Sequence, residues 1–139
     1  MGYKRQDMDS AVCKTKALPA AAGSVYSDAI DLDHGDRGDF LAAVELLITG
    51  PELDATALPA TKTVTYDVIQ HSTSDLSSGS VLAGSVLVQT GDDSVGGADE
   101  DTVRVRLPID VLEFVGVKAT TSAGSGDCSG SDLTGQLVF

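Results

Sequence analysis

The two histidines of the chain, His34 and His71, are the side chains best suited to acid–base or zinc chemistry near neutral pH. Neither lies in a Ser- or Cys-nucleophile motif, and the sequence contains no G-x-S-x-G elbow. A catalytic zinc ion takes three protein ligands, which two histidines without a fixed third partner do not supply. The histidine pattern therefore predicts no catalytic residue and no metal site.

Carboxylates are abundant and fall into two clusters. In the first, the segment DLDHGDRGD departs from the EF-hand pattern because His34 stands where a calcium ligand is expected. We favour solvated acidic loops for both clusters and keep calcium binding as the alternative. Carboxylate pairs also serve glycosidases, but sugar sites need aromatic platforms, and the chain has three Tyr, three Phe and no Trp. The clusters comprise Asp31, Asp33, Asp36 and Asp39, and Asp92, Asp93, Asp99, Glu100 and Asp101.

Other short motifs predict no cofactor. Arg37–Asp39 spells an integrin-type tripeptide, but Gly and Asp are also what any turn requires, so we interpret it as a turn. No Gly-rich segment follows a strand and opens a helix, which argues against a phosphate cradle. Cys13 and Cys128 belong to no CxxC or His-spaced pattern. We favour two reduced thiols, and a disulfide between them is the alternative.

Charge is distributed unevenly along the chain. The net charge is −12, yet residues 1–22 carry four basic and two acidic side chains, while residues 23–139 carry five basic and 19 acidic ones. An acidic body argues against nucleic acid as a partner. The leader has no apolar h-region, and no apolar run is long enough to span a bilayer. We therefore expect a protein made in a cytosol, without a membrane partner.

Seven segments have the residue pattern of β-strands, and no segment predicts a convincing helix. Val64, Tyr66 and Val68 share one face of their run, and such alternation is typical of a strand with one dry and one wet side. Connections of about ten residues favour a Greek-key or jelly-roll sandwich over a meander. The predicted strands are Ser24–Leu32, Phe40–Thr49, Lys62–His71, Val81–Thr90, Asp101–Leu107, Val111–Thr121 and Leu133–Phe139.

The sequence thus predicts an all-β fold, a jelly-roll or Greek-key sandwich of about seven to eight strands. Residues 1–22 show no clean periodicity and are expected to form an extended N-terminal arm, and residues 23–139 a single β-sandwich domain. No internal repeat or second domain is evident. Deleting the arm is expected to weaken binding to a partner without unfolding the body.

The order of segments resembles the small jelly-roll cement, or decoration, proteins that coat the capsids of some short-tailed phages. Together the similar stretches span about Ala17–Phe139, most of the chain. The acidic loop Gly91–Asp101 and the basic, Cys-containing leader depart from the family pattern. Four stretches carry the resemblance: ALPAAAGSVYSDAIDLD, GDRGDFLAAVELLIT, TVTYDVIQHSTSD and VRVRLPIDVLEFVGVKATTSAGSG.

The resemblance implies a structural virion protein on the outer capsid surface, not an enzyme. It would bind the assembled major capsid protein and stabilise the shell, as a dimer or trimer on local symmetry axes. The alternative is a small all-β module that binds carbohydrate or another surface ligand on a phage tail or bacterial surface, and an enzyme ranks third. The candidate capsid contacts are Tyr3, Lys4, Arg5, Lys14 and Lys16.

Overall fold

The computed structural model describes residues 13–32 and 44–138. Within these ranges the chain forms nine β-strands and one short 3₁₀ helix, Leu76–Ser78, and no α-helix. This confirms the all-β prediction. The strands are β1 (Cys13–Ala17), β2 (Gly23–Tyr26), β3 (Ile30–Asp31), β4 (Glu45–Gly50), β5 (Thr63–His71), β6 (Ser80–Thr90), β7 (Asp101–Arg106), β8 (Phe114–Thr121) and β9 (Asp132–Val138).

The strands form two antiparallel sheets. The first sheet has the order β1-β9-β4-β7, and the second has the order β2-β8-β5-β6, with β3 also paired to β8. One hydrophobic core contains buried residues from both sheets, as in a two-layer sandwich. The predicted sandwich is therefore confirmed.

Alternation of buried and partly exposed residues places one face of β4, β5 and β9 in the core. Val64, Tyr66 and Val68 of β5 are fully buried, while the residues between them are partly exposed. Leu46 of β4 and Leu133 of β9 are buried in the same cluster. Because successive side chains of a strand point to opposite faces, these positions face the other sheet, as the sequence predicts.

The predicted strand Ser24–Leu32 is divided into β2 and β3 by residues 27–29. Ser27 donates its backbone N–H to the carbonyl of Val117 at 2.8 Å, but its hydroxyl oxygen accepts the Val117 N–H at 3.0 Å. The side chain thus replaces the carbonyl that a continuous ladder would use, which interrupts the strand. Both pieces still pair with β8.

The strand β1 lies within the segment that the sequence assigns to the arm. Its five residues pair one for one with β9, from Cys13 opposite Gln136 to Ala17 opposite Asp132. Leu18, which follows directly, is 2% exposed and belongs to the core. Residues 13–18 are therefore part of the sandwich, and removing residues 1–22 would delete an edge strand together with a core side chain.

Several predicted features lie outside the described residues. These are the first part of the strand Phe40–Thr49, of which β4 is the described part, and the Arg37–Asp39 tripeptide with His34. The carboxylates Asp33, Asp36 and Asp39 also lie there, as do the candidate contacts Tyr3, Lys4 and Arg5.

Candidate partner-binding surface

The strand β1 is an edge of the first sheet and pairs on one side with β9. The Leu18 N–H donates to the carbonyl of Ser131 at 3.0 Å, which continues the same register. Since hydrogen-bonded and non-hydrogen-bonded pairs alternate along an antiparallel ladder, Lys14 and Lys16 direct their backbone groups toward β9. Cys13, Thr15 and Ala17 direct theirs away from it, and no strand of residues 13–32 or 44–138 pairs with that side.

The side chains of Lys14 and Lys16 start on the core side of β1. Lys14 lies opposite Gly135 and Lys16 opposite Leu133, and both of those β9 residues are buried. Lys16 is nevertheless exposed and Lys14 is half-buried, so these long side chains reach solvent from the core side of the edge strand. Neither lysine forms a salt bridge with another described residue. The two candidate contacts that the structure describes therefore form one basic edge.

Three long loops lie together at one end of the sandwich, and we call residues 51–62, 91–100 and 122–131 the acidic end. Backbone hydrogen bonds join them. The N–H of Leu53 donates to Ala98 at 2.8 Å and the bond is returned at 2.9 Å, while Gly97 donates to Leu58 at 2.7 Å and Gly126 to Ala57 at 2.9 Å. The loops that the sequence predicts as long connections are thus one hydrogen-bonded unit.

All seven acidic side chains of the acidic end are exposed, and Lys62 is its only basic residue. A groove of about 620 Å³ runs between the first two loops and is lined by several of these carboxylates. Val88 and Val95 also line it and are exposed. The seven are Glu52, Asp54, Asp92, Asp93, Asp99, Glu100 and Asp127.

Local turns engage several of these carboxylates. Asp92 Oδ1 accepts hydrogen bonds from the N–H and hydroxyl of Ser94 and from the N–H of Val95. The side-chain bond from Ser94 is the main cause that lowers the pKa of Asp92, and Ser129 does the same for Asp127. Within the described residues no group of three or more His, Cys, Asp or Glu is arranged to hold a metal ion.

A buried polar network joins the core to the acidic end. The Tyr66 hydroxyl donates to Gln89 Oε1 at 2.6 Å, and Gln89 Nε2 donates to the carbonyls of Pro51 at 2.8 Å and Asp99 at 2.9 Å. Burial raises the pKa of Tyr66 well above its ordinary value, so the phenol stays neutral. This network fixes the start of the first loop and the end of the second against β5 and β6.

The two cysteines are free thiols in different environments. Cys13 lies on β1 and is half-buried, whereas Cys128 is 1% exposed in the loop before β9 and directs its Sγ at the carbonyl of Ala57, 3.4 Å away. Burial raises the pKa of the Cys128 thiol, and the carboxylates of Asp127 and Asp54 add to the effect. The favoured prediction of two separate thiols matches this arrangement.

His71 lies near Ser78 and Asp75, but the three do not form a catalytic triad. The backbone N–H of Thr73 donates to His71 Nδ1 at 2.9 Å, so that nitrogen carries the lone pair and Nε2 carries the proton. Nε2 is 3.5 Å from the Ser78 hydroxyl and cannot accept its proton in this tautomer. The Asp75 carboxylate bonds Ser77 rather than the imidazole. This geometry supports a turn, not nucleophile activation.

The sequence did not predict the strand β1 or the hydrogen bonds that join the three loops. The alternation in KTKAL continues to buried Leu18, but lysines occupy the inward positions and disguise it. The turns do have a sequence pattern, because an Asp stands two residues before a Ser or Thr in four loops. In each of them the Asp carboxylate accepts the backbone N–H of that Ser or Thr. These aspartates are Asp54, Asp75, Asp92 and Asp127.

The fold and this surface define a small two-layer β-sandwich with one basic edge and one acidic end. Comparison with protein-family models gave no match, and comparison with curated proteins gave none either. The part of the chain that the structure describes contains no helix of the length and apolarity that a bilayer crossing requires.

Proposed function

We propose that the chain is a capsid cement protein that binds the outside of an assembled major capsid protein shell and stabilises it without catalysis. The observation that carries this proposal is the basic edge of β1 on an otherwise acidic body. Two lysines without an ion pair among the described residues lie on a regular, rigid sheet, and such a surface suits a partner that is itself a protein lattice. The remaining candidate contacts, Tyr3, Lys4 and Arg5, precede this strand in the sequence.

We also infer that the sandwich is a jelly roll. In that fold an antiparallel hairpin is rolled up, so that the first strand pairs with the last and the second with the next to last. If β2 and β3 count as one strand, the pairs β1–β9, β2/β3–β8, β4–β7 and β5–β6 follow this rule. The fold class of the resembling family therefore agrees with the observed pairing.

Mass action supplies the stabilising mechanism. A protein that binds only the assembled shell shifts the assembly equilibrium toward that shell. Homo-oligomers on local symmetry axes would contact several capsid subunits at once, and linked weak sites add to a high overall affinity. The exposed carboxylates of the acidic end would face solvent and keep particles apart by charge repulsion.

The test is binding to particles of the virus whose genome encodes the chain. We expect the purified protein to co-sediment with assembled capsids lacking it, not with unassembled capsid subunits, and to raise the temperature at which the shell dissociates. Electron microscopy would show it on the outer surface. Absence of binding, together with a melting shift on addition of glycans or calcium, would replace the proposal with the surface-ligand module.

A further inference from the structure

Like the shorter edge strand β2, β1 is a regular open strand among the described residues. Its five pairs with β9 contain no register shift, whereas β6, at an edge of the second sheet, contains two and has Ser85 at a positive φ of 51°. Shifts of this kind protect an edge against pairing with another chain. The other edge of the first sheet, β7, is flanked directly by β6. The open side of β1 pairs with no strand among the described residues and carries no such shift, although β1 also contacts β2.

We propose that β1 accepts an extended acidic segment of the partner as an additional antiparallel strand. The backbone N–H and C=O groups of Cys13, Thr15 and Ala17 face away from β9 and are oriented for a new ladder. On the incoming strand, the residues opposite Lys14 and Lys16 would lie beside their ammonium groups. Carboxylates at positions i and i+2 complement that pair.

A second copy of the chain is a poor occupant of the same edge. If two β1 strands pair antiparallel with Thr15 opposite Thr15, then Lys14 of each copy lies opposite Lys16 of the other. Centring the pairing on either lysine places that lysine opposite itself. Like charges directly opposite each other destabilise a strand pair. The lysines therefore disfavour self-pairing in the registers centred on Lys14, Thr15 or Lys16, which overlap β1 most fully, and they favour an acidic strand.

This inference rests on the proposed function in one respect, because the acidic strand would belong to a capsid subunit. The first experiment does not need the capsid. An acetylated and amidated peptide, Thr-Val-Glu-Val-Glu-Val-Thr, is titrated into the ¹⁵N-labelled full chain, with a second peptide in which lysine replaces both glutamates. We expect the acidic peptide to shift the amide signals of Cys13, Thr15 and Ala17, and the basic peptide to leave them unchanged.

Two variants separate charge from backbone pairing. Lys16→Glu should weaken acidic-peptide binding about tenfold, because attraction becomes repulsion. Lys118→Glu, the same charge change on the outer face of the second sheet, should not. Thr15→Pro removes an N–H that β9 does not use, so the fold should persist while peptide binding is lost. Equal binding by the wild type and both edge variants would overturn the inference, as would concentration-dependent dimerisation through β1 in light scattering.

The same variants applied to capsids distinguish this inference from the proposed function. If wild-type protein binds capsids and Thr15→Pro binds equally well, docking uses another surface and only the strand-addition inference fails. If the acidic peptide binds but capsids do not, the capsid proposal fails and the edge remains a binding site. If both capsids and peptide bind, and both bindings are lost in Thr15→Pro, the two proposals stand together.

Discussion

The hydroxyl of Tyr66 lies 2.6 Å from Oε1 of Gln89, and both side chains are buried in the sandwich. The amide nitrogen of Gln89 in turn donates to the carbonyls of Pro51 and Asp99, so each polar atom of the pair has a partner. A buried network in which every member is satisfied is rigid, and the loss of one member leaves another without a hydrogen bond.

Tyr66→Phe should reduce the free energy of unfolding by about 1–3 kcal/mol, because Gln89 Oε1 is left buried without a donor. Urea denaturation followed by circular dichroism measures the change. Tyr26→Phe is the matched control, since Tyr26 is half-buried and no hydrogen bond of its hydroxyl occurs among the described residues. Equal stabilities of the two variants would contradict the role assigned to the network.

Gly50→Ala should destabilise the fold by about 1–3 kcal/mol through overpacking. A Cβ atom at Gly50 would lie 2.5 Å from Gln89 Oε1 and 2.9 Å from the Tyr66 hydroxyl oxygen, both in the buried network. Gly130→Ala is the control, because a Cβ there meets nothing within 4 Å. Thermal melting of both variants tests the prediction, and a Gly50→Ala protein as stable as Gly130→Ala would disprove it.

Cys13 should react with iodoacetamide much faster than Cys128 in the folded protein. Cys128 is 1% exposed, and burial together with two nearby carboxylates raises the pKa of its thiol, which lowers the reactive thiolate fraction. Mass spectrometry of peptides labelled at neutral pH gives the two rates. In urea the rates should converge, and convergence without denaturant would show that Cys128 is accessible.

Lowering the pH should destabilise the turns that Asp75, Asp92 and Asp127 hold. Hydrogen bonds from the hydroxyls of nearby serines are the main cause that lowers the pKa values of these carboxyls. For a carboxyl with a lowered folded-state pKa, the stabilising contribution is present above the unfolded value of about 3.9 and is lost as pH falls through the folded value. The protection factors of the amides in these loops, which compare the exchange rate with the intrinsic rate at each pH, should therefore fall below about pH 4.

Replacing all three aspartates with asparagine should remove most of that pH dependence, because asparagine keeps the accepting oxygen but does not titrate in this range. The matched control changes Asp93, Asp99 and Asp110 instead, since their carboxylates accept no hydrogen bond from the described residues. If the control variant loses as much of the pH dependence as the first, the local turns are not its source.

Removal of Leu137–Phe139 should give insoluble protein. β9 lies between β1 and β4, and Leu137 is buried opposite Leu46. Leu137→Ala alone should cost about 2–5 kcal/mol, whereas Gln136→Ala, on the outer face, should stay within about 0.5 kcal/mol of wild type. Soluble truncated protein that unfolds cooperatively would contradict the assigned position of β9.

The core strands could be predicted because burial follows the period of two. Val64, Tyr66 and Val68 have apolar side chains at each inward position, so the pattern is complete. β1 could not be recognised in this way, because Lys14 and Lys16 occupy its inward positions and reach solvent at the edge. Edge strands tolerate such residues, and the pattern that identifies a central strand therefore fails there.

The candidate site was predictable only in part. Composition identifies Lys14 and Lys16 as basic residues in an acidic chain, but their shared edge depends on the long-range pairing of β1 with β9. The acidic loops were identified as charge clusters, yet the bonds between Leu53 and Ala98 join main-chain atoms. Main-chain bonding between these loops requires only glycines such as Gly97 and Gly126 where the backbones approach closely, and glycines occur in any turn, so the sequence could not reveal it.

Because main-chain atoms make those connections, the exposed carboxylates of the acidic end that accept no hydrogen bond within a turn contribute little to its shape. Substitutions at Glu52, Asp93 or Glu100 would change the electric field at this pole of the molecule while the scaffold persists. Evolution can therefore retune the outward charge, and with it the affinity for surrounding ions, surfaces or hosts, at positions that folding leaves unconstrained.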